Sequence, residues 1–299
     1  MSNDVSSAGA PGAAGNVADC PTVAALLDAA RARGIARLDA EVLLAALSRM
    51  GRAQLFAFGE RPVDPLTASL FEAGLERLAA GEPLAYITGV REFWSMPLVV
   101  TPDVLIPRPE TELLVERCLQ LLDAGPRVVA DLGTGSGAIA LALARERPAW
   151  RIVATDASPA ALEVAAMNRQ RLQLGNVELR AGRWCDALPP VPFDAILSNP
   201  PYIAAGDAAL EKLGHEPRAA LVAGPEGLDD LRRIVAQAPS HLRDQGWLLL
   251  EHGADQAPGV AGLFDPALWL SVRTHADLAG LPRVTEAQYR GAATQHQKR

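Results

Sequence analysis

From residue 127 onward the chain alternates short apolar runs with stretches of helical period, and this alternation restricts the fold more than any other feature. "RVVADLG", "RIVATDAS", "VELRAGRW", "FDAILSNPPY" and "WLLLEHG" read as strands. "SGAIALALARERP", "PAALEVAAMNRQRLQLG" and "GLDDLRRIVAQAPSHLRDQG" read as helices between them. A strand covered on one face alternates apolar and polar residues. Several of these runs are nearly continuous Val, Ile, Leu and Ala, which requires cover on both faces. Strands of that kind alternating with helices predict a parallel sheet in an α/β, Rossmann-like domain. "WLSVRTHADLAG" and "RVTEAQYR" then read as a closing hairpin, whose antiparallel strand makes the sheet mixed.

Upstream the text differs. "TVAALLDAARARG" has a Thr22 cap, helical apolar spacing and a Gly34 stop. The pattern returns from Asp39 to Gly51 and from Asp64 to Gly81, which predicts a bundle of four or five short helices. Between 82 and 112, Tyr86, Ile87, Phe93, Trp94, Leu98, Val99 and Val100 favour extended chain, read as a β-hairpin linker around 91–106. Pro107-Arg108-Pro109 precedes a further helix, "ETELLVERCLQLLDAG", with acids in its first turn. The expected division is a loose tail over 1–16, a helical domain over 17–85, the hairpin linker over 86–108, the α/β domain over 109–292 and a tail over 293–299.

Composition excludes some classes. The formal net charge of −7 argues against phosphate-driven nucleic-acid binding, which needs basic surface. Cys20, Cys118 and Cys185 lie far apart without metal-ligand spacing, and the histidines are scattered, so neither a disulfide framework nor a metal site is expected. The first twenty residues lack a basic segment followed by an apolar run, so no signal peptide is expected. No apolar stretch approaches the ~18 residues of a membrane span. A soluble, cytoplasmic protein is expected.

"VVADLGTGSGAIALAL" sets Gly133, Thr134, Gly135, Ser136 and Gly137 between a strand and a helix, with Asp131 two residues ahead. Glycines there admit positive φ and close approach of a ligand to the backbone. Ligands of open α/β sheets bind beyond the carboxyl ends of the strands. The next strand ends in Asp156, whose carboxylate can accept from ribose hydroxyls. A nicotinamide dinucleotide and S-adenosylmethionine both suit this arrangement. The G-x-G-x-G spacing lacks the dinucleotide G-x-G-x-x-G, and the sulfonium cofactor needs no phosphate cradle. Trp184, after the third strand, is placed to cover a purine face.

The fourth strand ends in Asn199-Pro200-Pro201-Tyr202. Prolines restrict φ, so the Asn199 side chain and the Pro200 carbonyl are preorganised beside an aromatic ring. A planar nitrogen, such as the amide of Gln or the exocyclic amine of adenine, is a poor nucleophile because its lone pair is delocalised. Asn199 Oδ1 accepting one N–H and the Pro200 carbonyl the other would favour an electron-rich, pyramidal nitrogen in the transition state. Tyr202 offers a wall for the planar group.

"DLGTGSGAIALAL", "SNPPYI" and "LLLEHG" together resemble class I S-adenosylmethionine-dependent methyltransferases with an NPPY motif. "EPLAYITGVREFW", "LIPRPETELLVE" and "HEPRAALVAGPEGLDDLRRI" resemble, more specifically, the HemK/PrmC-type release factor glutamine methyltransferases, over residues 22 to about 290. The resemblance implies a seven-stranded class I methyltransferase sheet and a helical domain that helps dock the substrate. It implies methyl transfer from S-adenosyl-L-methionine, leaving S-adenosyl-L-homocysteine, to the N5 amide nitrogen of the glutamine in the Gly-Gly-Gln loop of bacterial class 1 peptide chain release factors. It implies cofactor contacts at Gly133 to Gly137, Asp156, Trp184 and Asn199, and a grip on the glutamine by Asn199, Pro200, Pro201 and Tyr202. The competing expectations are a glutamine methyltransferase of a large-subunit ribosomal protein and an adenine-N6 methyltransferase.

Overall fold

The computed structural model describes residues 20–291; the expected tails over 1–16 and 293–299 lie outside the described residues. The chain divides into two compact units, one ending at Thr88 and the other beginning at Gly89.

The first unit is helical. α1 (Val23–Ala32) is capped by Thr22, whose side chain accepts from the Ala25 amide at 3.2 Å. α2 (Arg37–Ser48) and α3 (Arg52–Ala57) follow, then α4 (Pro65–Ala79), where Asp64 caps and Pro65 opens the first turn. These are the residue types that helix starts favour, since they satisfy or dispense with orphan N–H groups. α5 (Leu84–Thr88) contains Tyr86 and Ile87, so both residues are helical and the boundary expected at 86 falls inside a helix. Their β propensity yields to packing: Ile87 and Leu84 lie against the core of this unit. That core contains Leu26, Leu43, Leu44, Leu55, Phe71 and Leu75. Gly74 lets α4 approach α2 closely; a Cβ there would lie 2.7 Å from Leu43 Cδ2.

The second unit opens with a hairpin, β1 (Val90–Phe93) and β2 (Met96–Val99), paired from Val90–Val99 to Phe93–Met96. Its two-residue turn, Trp94-Ser95, has both φ values positive (51° and 55°), as a type I′ turn requires. Neither residue prefers that region, and tertiary bonds hold it: Trp94 donates its amide to Glu112 and its indole N–H to Glu146. At the other end, Asn168 brackets the Val99 backbone, accepting from its N–H at 2.7 Å and donating to its carbonyl at 2.9 Å.

A single 3₁₀ turn (Pro109–Thr111) leads into α6 (Glu112–Leu121). The alternation then runs β3 (Val128–Leu132), α7 (Ala138–Glu146), β4 (Arg151–Asp156), α8 (Pro159–Arg171), β5 (Val177–Ala181), β6 (Phe193–Ser198), α9 (Asp229–Gln237), β7 (Leu242–Glu251), α10 (Ala257–Ala261), β8 (Trp269–Ala276) and β9 (Pro282–Tyr289). Residues 242–246, read from sequence as the end of a helix, are the first half of β7. Pro239 ends the helical run at a short 3₁₀ turn, and the polar "RDQ" is tolerated because that half of the strand is exposed.

The strands form one seven-stranded sheet in the order β5-β4-β3-β6-β7-β9-β8. The first five are mutually parallel and β9 is antiparallel to both neighbours. Alternate side chains of each strand enter separate cores. Val129, Ile152, Leu197 and Leu249 pack on one face with α6 and α7. Ala130, Val153, Ile196 and Leu248 pack on the other with α9 and α10. Consecutive strands add outward from β3 to β5, then resume at β6 on the other side of β3. The edge between β3 and β6 is therefore the topological switch point, where such sheets open a crevice. Among the described residues no helix is long and apolar enough to cross a membrane.

Phe71 is fully buried at the centre of the helical core. Phe71→Ala should lower the unfolding free energy by about 3–5 kcal/mol, measured by denaturant titration, because a cavity adds to the lost transfer energy. A loss under ~1 kcal/mol would show that the helices repack around the site.

Candidate active site

Strand register brings the motifs together. Leu132 of β3 pairs with Thr155 of β4 on one side and with Ser198 of β6 on the other. The residues that follow, Gly133, Asp156 and Asn199, therefore leave the sheet level with one another. They border a cavity of about 510 Å³ that Thr134, Ser136, Trp184 and Pro201 also line.

The glycine loop is built from its own backbone. Gly133, Gly135 and Gly137 have φ of 71°, 55° and 87°, where a side chain would be strained. The amides of Gly133 and Thr134 both donate to the Thr155 carbonyl at 2.9 Å, and the Gly135 amide donates to Asp156 Oδ2 at 2.9 Å. A Cβ on Gly133 would lie 3.0 Å from the Trp184 ring, so this glycine lets the indole sit on the loop. Gly137 does not line the cavity; it precedes α7, where a Cβ would meet Leu141 at 2.9 Å.

Asp131 lies beneath the loop with no exposure. Its Oδ2 accepts from the Thr134 hydroxyl at 2.6 Å and from the Ala140 amide at 3.2 Å, and its Oδ1 has no partner among the described residues. Burial pushes this carboxyl up to about 7, with the Asp156 charge pushing the same way and the two donors opposing.

Asp156 is half-buried at the cavity. It accepts from Ser158 N through Oδ1 and from Gly135 N through Oδ2, and each oxygen keeps a second acceptor direction. Trp184 adopts φ 51° and donates its indole N–H to Asp230 Oδ1 at 3.1 Å. Asp230, at the start of α9, also accepts from Arg183 at 2.8 Å and so fixes the ring's orientation.

Asn199 donates its Nδ2 to Thr111 Oγ1 at 3.1 Å. Among the described residues no group donates to Asn199 Oδ1 or to the Pro200 carbonyl. Asn199 and Pro201 line the cavity; Pro200 and Tyr202 stand outside its lining. The Tyr202 hydroxyl donates to Glu251 Oε1 at 3.4 Å, and burial raises its pKa. Gln256 donates to the Tyr202 carbonyl at 2.9 Å, and Gly227 (φ 73°) makes room for that carbonyl, which a Cβ would approach to 2.2 Å. Beyond the motif, Ile203 exchanges backbone bonds with Leu221 and Ala223, so the "ALVAGPEG" segment forms the wall behind it.

The cavity's rim joins two segments distant in sequence. Buried Glu216 takes an ion pair from Arg108 and accepts from Ile106 N at 3.1 Å. "LIPRPET" is thereby tied to "HEPRAAL".

Comparison with known proteins identifies the family. A family model described as the PrmC N-terminal domain matches residues 23–89, and one described as the methyltransferase small domain matches residues 109–255. A release factor glutamine methyltransferase of Coxiella burnetii is 48% identical over 253 residues, which are 84% of this chain and 91% of that protein. One of Pseudomonas aeruginosa is 50% identical over 256 residues, which are 85% of this chain and 93% of that protein. The chain belongs to the release factor glutamine methyltransferase family. A solved methyltransferase of Pyrococcus furiosus shares the fold, with a TM-score of 0.51 at 19% identity over 72% of this chain and 97% of that one.

In this release factor glutamine methyltransferase family member, sequence reasoning missed Thr111, Glu251, Asp230 and Gln256, each of which holds a site residue by its side chain. Thr111, Asp230 and Glu251 lie within the segments "LIPRPETELLVE", "HEPRAALVAGPEGLDDLRRI" and "LLLEHG", yet nothing local told what they would touch; Gln256 lies outside them all.

A buried carboxyl with a raised folded-state pKa adds stability that is full below its ordinary value of 3.8 and is lost as pH rises through about 7. Asp131→Asn does not titrate. Its stability relative to the native chain should therefore rise between pH 4 and 7.5 by on the order of 4 kcal/mol, then level off, in denaturant titrations across pH. A difference independent of pH would mean that folding does not perturb Asp131.

Proposed function

We propose that this methyltransferase uses S-adenosyl-L-methionine to methylate the N5 amide nitrogen of the glutamine in the Gly-Gly-Gln loop of class 1 peptide chain release factors. The observation that carries the reading is the pair of unused acceptors, Asn199 Oδ1 and the Pro200 carbonyl, on the chain leaving β6 at the same edge as the glycine loop.

The cavity suits the cofactor. Backbone of Gly133 to Ser136, stripped of side chains at Gly133 and Gly135, would border its methionine part. The remaining acceptor directions of Asp156 would take the ribose hydroxyls, and the Trp184 indole would pack against the adenine. When bound, the cofactor supplies an electrophilic methyl on a sulfonium and leaves as S-adenosyl-L-homocysteine.

The chain's own residues then have one task. Asn199 Oδ1 accepts one amide N–H and the Pro200 carbonyl accepts the other, which holds the substrate nitrogen in line and favours its pyramidal form. Tyr202 confines the amide plane. The amide loses one proton to solvent once its N–C bond has formed. A base of strong basicity is unnecessary, because the nitrogen becomes acidic only after attack. The helical unit would dock the release factor; Phe56, Phe58 and Leu66 give it exposed apolar surface. A cytoplasmic location follows from the substrate.

The test is transfer of label from methyl-labelled cofactor to a release factor carrying either Gln or Ala in its Gly-Gly-Gln loop. Label on the Gln form alone is the expected result. Label on neither form, with label on ribosomal protein or DNA instead, would overturn the substrate. Asn199→Ala should lower kcat by about 100-fold or more while cofactor affinity changes little, since the acceptor is used most in the transition state.

A further inference from the structure

The proposed reaction leaves a buried polar cluster behind the Asn-Pro-Pro-Tyr segment without a role. Thr111, Glu251 and the hydroxyl of Tyr202 meet there; Thr111 is 4% exposed and Glu251 1%. The inference drawn from them rests on the reading that Asn199 Oδ1 accepts from substrate.

An amide side chain has two ends of nearly equal shape, and only one can serve a substrate N–H. If Asn199 turned over, Nδ2 would face the substrate nitrogen and oppose it. Thr111 by itself does not prevent this, because a hydroxyl can accept from Nδ2 or donate to Oδ1 equally well. The choice depends on where the single Thr111 proton goes. Glu251, the last residue of β7, offers the alternative. Its Oε1 takes the Tyr202 hydroxyl, its buried Oε2 has no hydrogen-bond partner among the described residues, and the nearby Thr111 hydroxyl favours its charged form. An ionised carboxyl only accepts. With the Tyr202 hydroxyl on Oε1 and Oε2 open, it offers the Thr111 proton an acceptor, and a proton drawn there would leave Thr111 Oγ1 with lone pairs alone facing Asn199, which admits only Nδ2. Oδ1 is then the end turned away from Thr111.

We propose that Glu251, acting through Thr111, is a positioning residue that fixes the amide orientation of Asn199 and with it the acceptor presented to the substrate glutamine. A protonated Glu251 can donate to Thr111, which releases the Thr111 proton toward Asn199 and lets the amide turn. Activity should therefore carry an acid limb. The groups facing Glu251 are Thr111 and Glu110 from the turn before α6, Tyr202 from the motif and Arg283 from β9. Burial dominates over Thr111, Arg283 and Tyr202, which favour the charge, and pushes the carboxyl up to about 7.

The experiment is kcat against pH from 5.5 to 9 on full-length release factor, with cofactor Kd by calorimetry, for the native chain, Thr111→Ser, Thr111→Val, Glu251→Gln and Asn199→Ala. The native chain should lose activity below a pH of about 7. Glu251→Gln should abolish that limb and lower kcat at pH 8 by about 10-fold, because a carboxamide can donate as well as accept. Thr111→Val should lower kcat by about 10- to 100-fold with cofactor Kd within ~3-fold, and Thr111→Ser should restore most of it. A Glu251→Gln profile that keeps the limb overturns the proposal, even if Thr111→Val proves unable to fold. So does a Thr111→Val kcat within ~3-fold of native while Asn199→Ala is inactive. Full activity of Asn199→Ala would instead remove the acceptor reading itself.

Discussion

The parallel register of β3 is the constraint on which the site depends. Leu132 is paired with Thr155 and with Ser198, and the Ser198 hydroxyl donates to the Leu132 carbonyl at 2.7 Å. Three strand ends are thereby held level at the switch point. All of β6 is buried, so a slip of one residue would turn every one of its side chains into the wrong core. The two cores on either face of the sheet thus hold the spacing between the glycine loop, Asp156 and Asn199.

Loops that leave such a sheet have no ladder to hold them, and buried carboxyl and amide side chains take over that task. Asp194 accepts from Val128 N at 2.7 Å and pairs with Arg127 and Arg243; Glu216 holds Ile106 N and Arg108; Asn168 holds both backbone groups of Val99 and the Ser136 carbonyl. The need is greatest at Pro200 and Pro201, which have no N–H and cannot join a ladder. Their position is set from either side, by Thr111 on Asn199 and by Gln256 on the Tyr202 carbonyl. The hairpin is a similar case: Trp94 and Ser95 keep an unfavourable backbone region because Glu112 and Glu146 hold the tryptophan.

This division explains what the sequence disclosed. Strand and helix identities in the sheet unit were legible because continuous apolar runs have only one stable environment, and Gly133, Asp156 and Asn199 were legible because strand ends and turns carry local signals. Tyr86 and Ile87 misled because their local preference is β while their packing is helical. The first half of β7 misled because its exposed residues lack any strand period. Thr111 and Glu251 escaped notice for a different reason. Thr111 meets Asn199 across 88 positions, and Tyr202 meets Glu251 across 49, so their roles exist only after the sheet has folded.

The two halves of the cavity share one device. Asp131, one residue before the end of β3, lies under the glycine loop; Glu251, at the end of β7, lies under the proline motif. Each is buried by the sheet, each has its carboxyl raised to about 7, and each has one oxygen without a hydrogen-bond partner among the described residues. Each also receives a hydroxyl from the loop above it: Thr134 on Asp131, Tyr202 on Glu251. A carboxyl in that position is a poor choice for stability, since an apolar residue of similar volume would avoid the desolvation. Its use is directional. An ionised carboxyl can only accept, so every hydroxyl beside it must point inward, and the lone pairs of those hydroxyls turn outward. Chemistry on a delocalised nitrogen needs acceptors held still more than it needs a base. An acceptor-only group beneath each loop supplies that stillness where prolines and glycines have removed the backbone's own means of providing it.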